Sequence, residues 1–90
     1  MYKLEPTKVF AKSLKKLSQN EQKTVARKLG LLSQNPFHPS LRTKKVQSLK
    51  AVFESSMNMD IRILWMHKGD KIILLLDIGH HDILSLFGNF

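Results

Sequence analysis

The sequence contains no cysteine, which excludes both a disulfide framework and thiolate chemistry. Long apolar runs are also missing, since the longest is Ile72–Leu76, far shorter than a membrane span. The first ten residues have no apolar signal core, so we expect a cytoplasmic protein without membrane attachment. A chain of 90 residues has the size of one domain, and we expect residues 1–90 to form it.

Acidic residues are scarce: seven Asp and Glu stand against fifteen Lys and Arg, and the net charge is +8. Residues 1–50 contain twelve basic and two acidic residues and have a net charge of +10. Residues 51–90 contain three basic and five acidic residues and have a net charge of −2. A basic half joined to a nearly neutral half favours a face for a polyanion, with RNA or DNA before a very acidic protein. The alternative is a solvated lysine-rich surface.

A β-hairpin is predicted in the second half of the chain. Residues 61–66, IRILWM, alternate with a period of two, which is typical of a strand. The turn lies at residues 68–70, KGD, whose glycine adopts positive φ without strain. Segment 71–78 contains five consecutive apolar residues and is predicted to be a strand buried on both faces that ends at Gly79.

Two helices are predicted in the first half. Thr7 caps a helix that ends near Leu17, and Ser18 with Glu21 has the form of a capping box for a second helix that ends before residue 35. Further strands are predicted at 2–5, 44–49 and 51–56, a loop at 37–43, and a short helix or closing strand at 83–87. This is an α+β fold, β-α-α-β-β-β, with a helical hairpin packed on a mainly antiparallel sheet.

Three polar residues, His80, His81 and Asp82, follow the predicted end of the last strand, where side chains are held rigidly and still reach solvent. Histidine suits proton transfer because its ordinary pKa is about 6.5. His81 is the candidate general acid or base, with a structural hydrogen bond to backbone as its alternative role. His80 is the weaker candidate, because we expect it to point away from its neighbour. Asp82 either orients one histidine or caps a helix.

Other residues with possible functional chemistry are more dispersed. His38 either reaches RNA or is an ordinary loop residue. No HxH or HExxH spacing occurs, so we expect no metal and no cofactor. Trp65 either stacks on a base or, as its alternation with Ile61 and Ile63 favours, lies in the core. Four basic residues are candidates for sequence-independent contacts with RNA phosphates: Arg42, Lys44, Lys45 and Lys50.

Three segments resemble, in order, the RelE/ParE superfamily of toxins from bacterial type II toxin–antitoxin systems. Pro36–Val46, PFHPSLRTKKV, is similar to the family's loop into its second strand, and Asp60–Trp65, DIRILW, is similar to its D-Y-R-I-I-Y strand. Leu75–Ile83, LLDIGHHDI, is similar to the closing L-x-x-I-G-x-H-D-E segment. The resemblance extends over nearly the whole chain, and the RelE/YafQ-like branch fits best.

This resemblance implies a RelE-like fold and a toxin held in a hetero-oligomer by a cognate antitoxin, whose binding segment we expect to be acidic and amphipathic. RelE-like members cut mRNA in the ribosomal A site, with the 2′-OH as nucleophile and without a metal. Arg62 matches their active-site arginine and would stabilise the phosphoryl oxygens, with an ion pair to a nearby aspartate as its alternative role. His81 matches a position where some members have a catalytic histidine.

Two departures from the family pattern count against a mechanism based on lysine and tyrosine. The strand before the arginine strand, AVFESS, has no lysine, and the aromatic residue near the C-terminus is Phe87, which has no hydroxyl. A histidine-based mechanism fits the sequence better. Two alternatives are a ParE-like inhibitor of DNA gyrase without nuclease activity and a degenerate toxin that only binds its antitoxin.

Overall fold

The computed structural model describes residues 1–83, which form two helices and five strands. The elements are β1 (Lys3–Pro6), α1 (Lys8–Leu14), α2 (Gln19–Gln34), β2 (Lys44–Lys45), β3 (Phe53–Ser56), β4 (Ile61–Lys68) and β5 (Ile72–His80). A 3-10 turn at Pro39–Leu41 lies within the predicted loop. The predicted α+β fold is confirmed. Four strands follow the helices, in agreement with the four segments predicted there, so the predicted order β-α-α-β-β-β is one strand short. The prediction for residues 84–87 lies outside the described residues.

The five strands form one sheet in the order β1-β5-β4-β3-β2. The neighbours from β2 to β5 are antiparallel, and only β1 is parallel to its partner, β5. The helices therefore carry the chain from one edge of the sheet to the other, and β4 and β5 lie in the middle. Gly69 has φ +68° at the hairpin turn, the left-handed conformation that glycine tolerates best.

Both predicted helix starts are confirmed by their caps. The Thr7 hydroxyl accepts a hydrogen bond from the Phe10 amide, and Ser18 forms the complete capping box with Glu21. α1 ends at Leu14, earlier than predicted, because the chain tightens there into a turn before α2. Leu17 lies in that turn and is still buried. No helix in the described chain is long and apolar enough to cross a membrane.

The main core lies between the helices and one face of the sheet. Phe10, Val25 and Leu32 from the helical part pack against the inward side chains of β4 and β5, which are Ile61, Ile63, Trp65, Ile73, Leu75 and Ile78. The predicted core position of Trp65 is confirmed, since its side chain is fully buried. Burial of this apolar surface is the main force that holds the helical hairpin on the sheet.

Three strand predictions need correction. β2 has only two residues, because Val46 turns inward and forms a smaller cluster with Val52, Leu64 and Ile83 on the other face. β5 is fully buried on the helix side only, because Ile72, Leu74 and Leu76 on the other face are half-buried. β5 also does not end at Gly79: it continues to His80, because Ile61 and Arg62 at the start of β4 pair with His80 and Gly79.

We expect Thr7→Ala to destabilise the fold by about 1–2 kcal/mol. Besides capping α1, the Thr7 hydroxyl donates to the Leu75 and Leu76 carbonyls at 2.9 and 3.1 Å, so one group joins the helix to β5. Urea unfolding measures the change in free energy. Thr7→Ser keeps the hydroxyl and is the control. Equal stability of Thr7→Ala and Thr7→Ser would contradict this role.

Candidate functional site

An open cleft of about 330 Å³ lies where the 3-10 turn, the end of β3 and the start of β4 meet. It is lined by Ser40, Arg42, Ser56, Asn58, Met59 and Arg62. Two of these six residues are arginines, so the cleft is basic. A phosphate diester is the kind of anion that two guanidinium groups recognise well.

Arg62 reaches the cleft from the second position of β4. Its cross-strand neighbours are Ser56 and Gly79, whose small side chains leave space around the guanidinium group. Arg62 Nη1 donates to the carbonyls of Asn58 and Ile61 at 2.8 and 3.2 Å, which fixes the side chain against the connection between β3 and β4. These backbone contacts leave other donors of the guanidinium group for an anion.

Arg42 reaches the same cleft from the end of the 3-10 turn. It has φ +48°, a left-handed conformation that is unusual for a residue with a side chain. A chain of hydrogen bonds holds the segment before β2 against β3: the Trp65 indole donates to Ser55, whose hydroxyl lies 2.6 Å from the hydroxyl of Thr43. Thr43 also donates to the Pro36 carbonyl. Backbone strain held in place by such contacts is typical of functional sites.

A second group of polar side chains lies at the shared end of β4 and β5. The Asp60 carboxylate accepts a hydrogen bond from each histidine: His80 Nδ1 lies 2.5 Å from Oδ2, and His81 Nδ1 lies 3.1 Å from Oδ1. A carboxylate only accepts, so each Nδ1 donates and each Nε2 remains to exchange a proton with a substrate. The expectation that His80 points away from His81 is therefore wrong, because both side chains converge on one carboxylate.

Asp60 and Arg62 belong to one local structure organised by Asn58. The Asn58 side-chain oxygen accepts from the Asp60 and Ile61 amides at 2.8 and 2.6 Å, while its backbone carbonyl accepts from Arg62. The arginine cleft and the histidine pair are thus joined through one turn. This arrangement offers an anion-binding group and a carboxylate-oriented histidine, the parts needed for phosphoryl transfer without a metal.

The Asp60–histidine contacts shift two pKa values in opposite directions. Hydrogen bonds from His81 and then from His80 lower the pKa of Asp60 below its ordinary value. The hydrogen bond to Asp60 raises the pKa of His80, and the charges of Asp60, Glu21 and Asp82 add to that effect. Near neutral pH, Asp60 is therefore an anion, and His80 holds its proton more tightly than an ordinary histidine.

The remaining candidates are distributed over the molecule. His38 caps the 3-10 turn, where its Nδ1 accepts from the Ser40 amide at 3.1 Å. Lys44 lies 3.4 Å from Glu54, a buried carboxylate of β3, while Lys45 and Lys50 are exposed. Asp82 lies in a second cleft beside His80, between α1 and β5, and Asp60 bonds both histidines. The catalytic and RNA-binding roles of these residues stay predictions.

Asp60 and Asn58 are the site residues that the sequence analysis missed. Asp60 is, in the sequence analysis, only one of the three aspartates that could pair with Arg62, with Asp77 and Asp82, although it opens the DIRILW segment that carries the family resemblance. Asp60 precedes His80 by 20 positions and His81 by 21, and this spacing does not indicate that the three side chains meet. Asn58 bonds only backbone groups of its own turn and Arg62, a role that no residue pattern marks.

We expect Asp60→Asn to lower the pKa of His80 towards about 6.5, the value of a histidine without a charged partner. Because the contact raises the pKa of His80, it stabilises the folded protein fully at pH values below the pKa that His80 has in the unfolded chain. This contribution is lost as the pH rises through the pKa of His80 in the folded protein. Nuclear magnetic resonance titration of the histidine rings measures the change. Asp70→Asn, at the hairpin turn, is the control. Identical titration of His80 in wild type and Asp60→Asn would contradict the contact.

The class of protein defined by these observations is an α+β domain with a helical hairpin on a mixed five-stranded sheet and a basic cleft beside a carboxylate–histidine cluster. No protein-family model matches the sequence, and no curated protein matches it either. Solved structures do match. A metal-bound toxin from Helicobacter pylori is 26% identical, with a TM-score of 0.76 over 93% of this chain and 99% of that one.

Two further structures extend the comparison. YafQ from E. coli is 18% identical, with a TM-score of 0.74 over 93% of this chain and 98% of that one. The RelE–RelB complex from Pyrococcus horikoshii OT3 is 17% identical in the matched chain, with a TM-score of 0.72 over 88% of this chain and 93% of that one. The predicted resemblance is confirmed in three dimensions: the chain has the fold of the RelE-like toxin superfamily.

Proposed function

We propose that this protein is the toxin of a type II toxin–antitoxin system and that it cleaves mRNA on the ribosome. The observation that carries the proposal is the junction at Asn58, which joins the Arg62 side chain to the Asp60–His81 pair within one turn. The RelE-like fold supports the toxin role, since the solved structures with this fold include the RelBE and DinJ–YafQ toxin–antitoxin complexes from E. coli. The net charge of +8 supports an RNA ligand.

The proposed reaction needs no metal or cofactor. The ribose 2′-OH attacks the adjacent phosphorus, the 5′ oxygen of the next nucleotide leaves, and a 2′,3′-cyclic phosphate forms. Arg62 stabilises the negative charge that accumulates on the phosphoryl oxygens, with Arg42 across the cleft as a second cation. His81, oriented by Asp60, transfers a proton through Nε2 either from the 2′-OH or to the leaving oxygen.

The antitoxin is the second partner that we propose. Val9, Phe37 and Met59 are large apolar residues that the fold leaves exposed, at 55, 55 and 94% of their maximum. They lie in a strongly basic protein, so an acidic, amphipathic segment that contacts any of them would bury apolar surface and complement the charge. Structures with this fold include toxin–antitoxin complexes, such as DinJ–YafQ from E. coli, which supports a hetero-oligomer.

The experiment that tests the toxin role is controlled expression in a bacterium, with pulse labelling of protein and DNA synthesis. An mRNA-cleaving toxin is expected to stop protein synthesis before DNA synthesis, while a gyrase inhibitor would stop DNA synthesis first and leave mRNA intact. Normal growth and normal labelling, with the protein present at the expected size, would contradict the toxin role and favour a degenerate toxin.

A further inference from the structure

One corner of the molecule combines three elements that are distant in sequence. Glu21 comes from the first turn of α2, Asp60 from the turn before β4, and His80 from the end of β5. A carboxylate oxygen of Glu21, a carboxylate oxygen of Asp60 and an imidazole nitrogen of His80 all lie within 4.8 Å of one another. His81 bonds the other oxygen of Asp60 at 3.1 Å, so a second imidazole borders the group.

We propose that Glu21, Asp60 and His80 bind a divalent transition-metal ion, with Zn²⁺ as the best fit. Zinc is bound by imidazole nitrogen and carboxylate oxygen at about 2.0–2.2 Å, and open sites have three protein ligands and a water molecule. Those bond lengths place neighbouring ligand atoms roughly 3.4 Å apart in a tetrahedral site. Side chains that begin within 4.8 Å need to move by only about an ångström, and the Asp60 and His80 side chains are half exposed, so they have room to rotate.

Charge supports a cation at this corner of an otherwise basic protein. Three of the seven acidic residues, Glu21, Asp60 and Asp82, act electrostatically on His80. His80 Nδ1 and Asp60 Oδ2 already face each other at 2.5 Å, and a metal ion would replace the proton between them once the two atoms separate by about 1 Å. The metal proposal shares Asp60 with the nuclease proposal, but it concerns binding alone and its test does not depend on cleavage.

Residue spacing gives no sign of such a site, because its ligands lie at positions 21, 60 and 80. Glu21 also has a structural task, since one of its carboxylate oxygens accepts from the Ser18 amide at 2.8 Å. A carboxylate has two oxygens, so the cap does not by itself prevent Glu21 from binding a metal ion. A glutamine at this position would keep the capping hydrogen bond and replace the anionic ligand with a neutral amide, so the two tasks of Glu21 are separable.

The test is calorimetric titration of metal-stripped full-length protein with ZnCl₂, with circular dichroism to check the fold of each variant. We expect one Zn²⁺ per chain in wild type and affinity at least about tenfold weaker in Glu21→Gln and in His80→Gln. Asp70→Asn, which removes an exposed carboxylate at the hairpin turn, is expected to bind as wild type does.

Three results would overturn the proposal. The first is absence of binding to the folded wild type, and the second is unchanged affinity in folded Glu21→Gln and His80→Gln, which would assign the metal to other histidines. The third is half a Zn²⁺ per chain with formation of dimers, because the ion would then bridge two copies. Cleavage of mRNA is not a readout here, so failure of this test leaves the nuclease proposal intact.

Discussion

Replacing His81 with alanine is expected to slow mRNA cleavage on programmed ribosomes by about two to four orders of magnitude. The reason is the loss of the imidazole whose Nδ1 is held by Asp60 at 3.1 Å and whose Nε2 transfers the proton. The side chain is 73% exposed, so the fold should be almost unaffected. Single-turnover cleavage at saturating ribosome concentration measures the chemical step without the contribution of binding.

Rescue separates proton transfer from a structural role of His81. Added imidazole is expected to restore part of the activity of His81→Ala, because a small base can enter the space left by the side chain. His81→Gln keeps most of the size and a hydrogen-bonding group but cannot carry out acid–base chemistry at neutral pH, so it should be as slow as the alanine variant. Wild-type rates in either variant would assign the proton transfer elsewhere, with His80 as the next residue to test.

Replacing Arg62 with alanine is expected to lower the cleavage rate by about 10²–10³-fold, the usual effect of removing one group that stabilises developing charge. Arg62→Lys should recover only part of the rate, because an ammonium group lacks the planar, two-pronged geometry that matches a phosphate. The control is Lys71→Ala, which removes an exposed cation at the opposite end of the hairpin. Equal loss of rate in Lys71→Ala and Arg62→Ala would indicate general attraction to RNA and contradict a specific role.

Thermal denaturation has to accompany the Arg62 variants, because this side chain also holds the Asn58 turn through two backbone carbonyls. Loss of those hydrogen bonds is expected to cost about 1–3 kcal/mol, since both acceptors contact a charged donor. A variant that remains folded and binds ribosomes but does not cleave would assign Arg62 to the reaction itself.

The fold was predictable because local signals and the global arrangement agree. Thr7 and the Ser18–Glu21 capping box mark both helix starts, and the alternation at 61–66 places Trp65 in the core. The errors are found where tertiary packing overrides local pattern. The predicted strand at 44–49 ends after Lys45 because Val46 packs into a buried cluster with Val52, Leu64 and Ile83. The residues next to Val46 in sequence do not predict this packing.

The candidate site was predictable only in part. Arg62 is a candidate chiefly through the family resemblance, and His80 and His81 through residue type and their place after the predicted hairpin. The connections between these residues were not predicted. The convergence of both histidines on Asp60 depends on the register that pairs Ile61 with His80. Register is set by the whole sheet, so the histidine pair looked like two side chains on opposite faces when only the sequence was considered.

The measurement that tests the central claim most directly is primer extension on a reporter mRNA in a reconstituted translation system, with wild-type protein and with the Arg62→Ala/His81→Ala double variant. We predict discrete new 5′ ends at in-frame A-site positions with the wild type and none with the folded double variant. Intact mRNA with the wild type, or identical cleavage with the double variant, would contradict the claim that this site cuts mRNA on the ribosome.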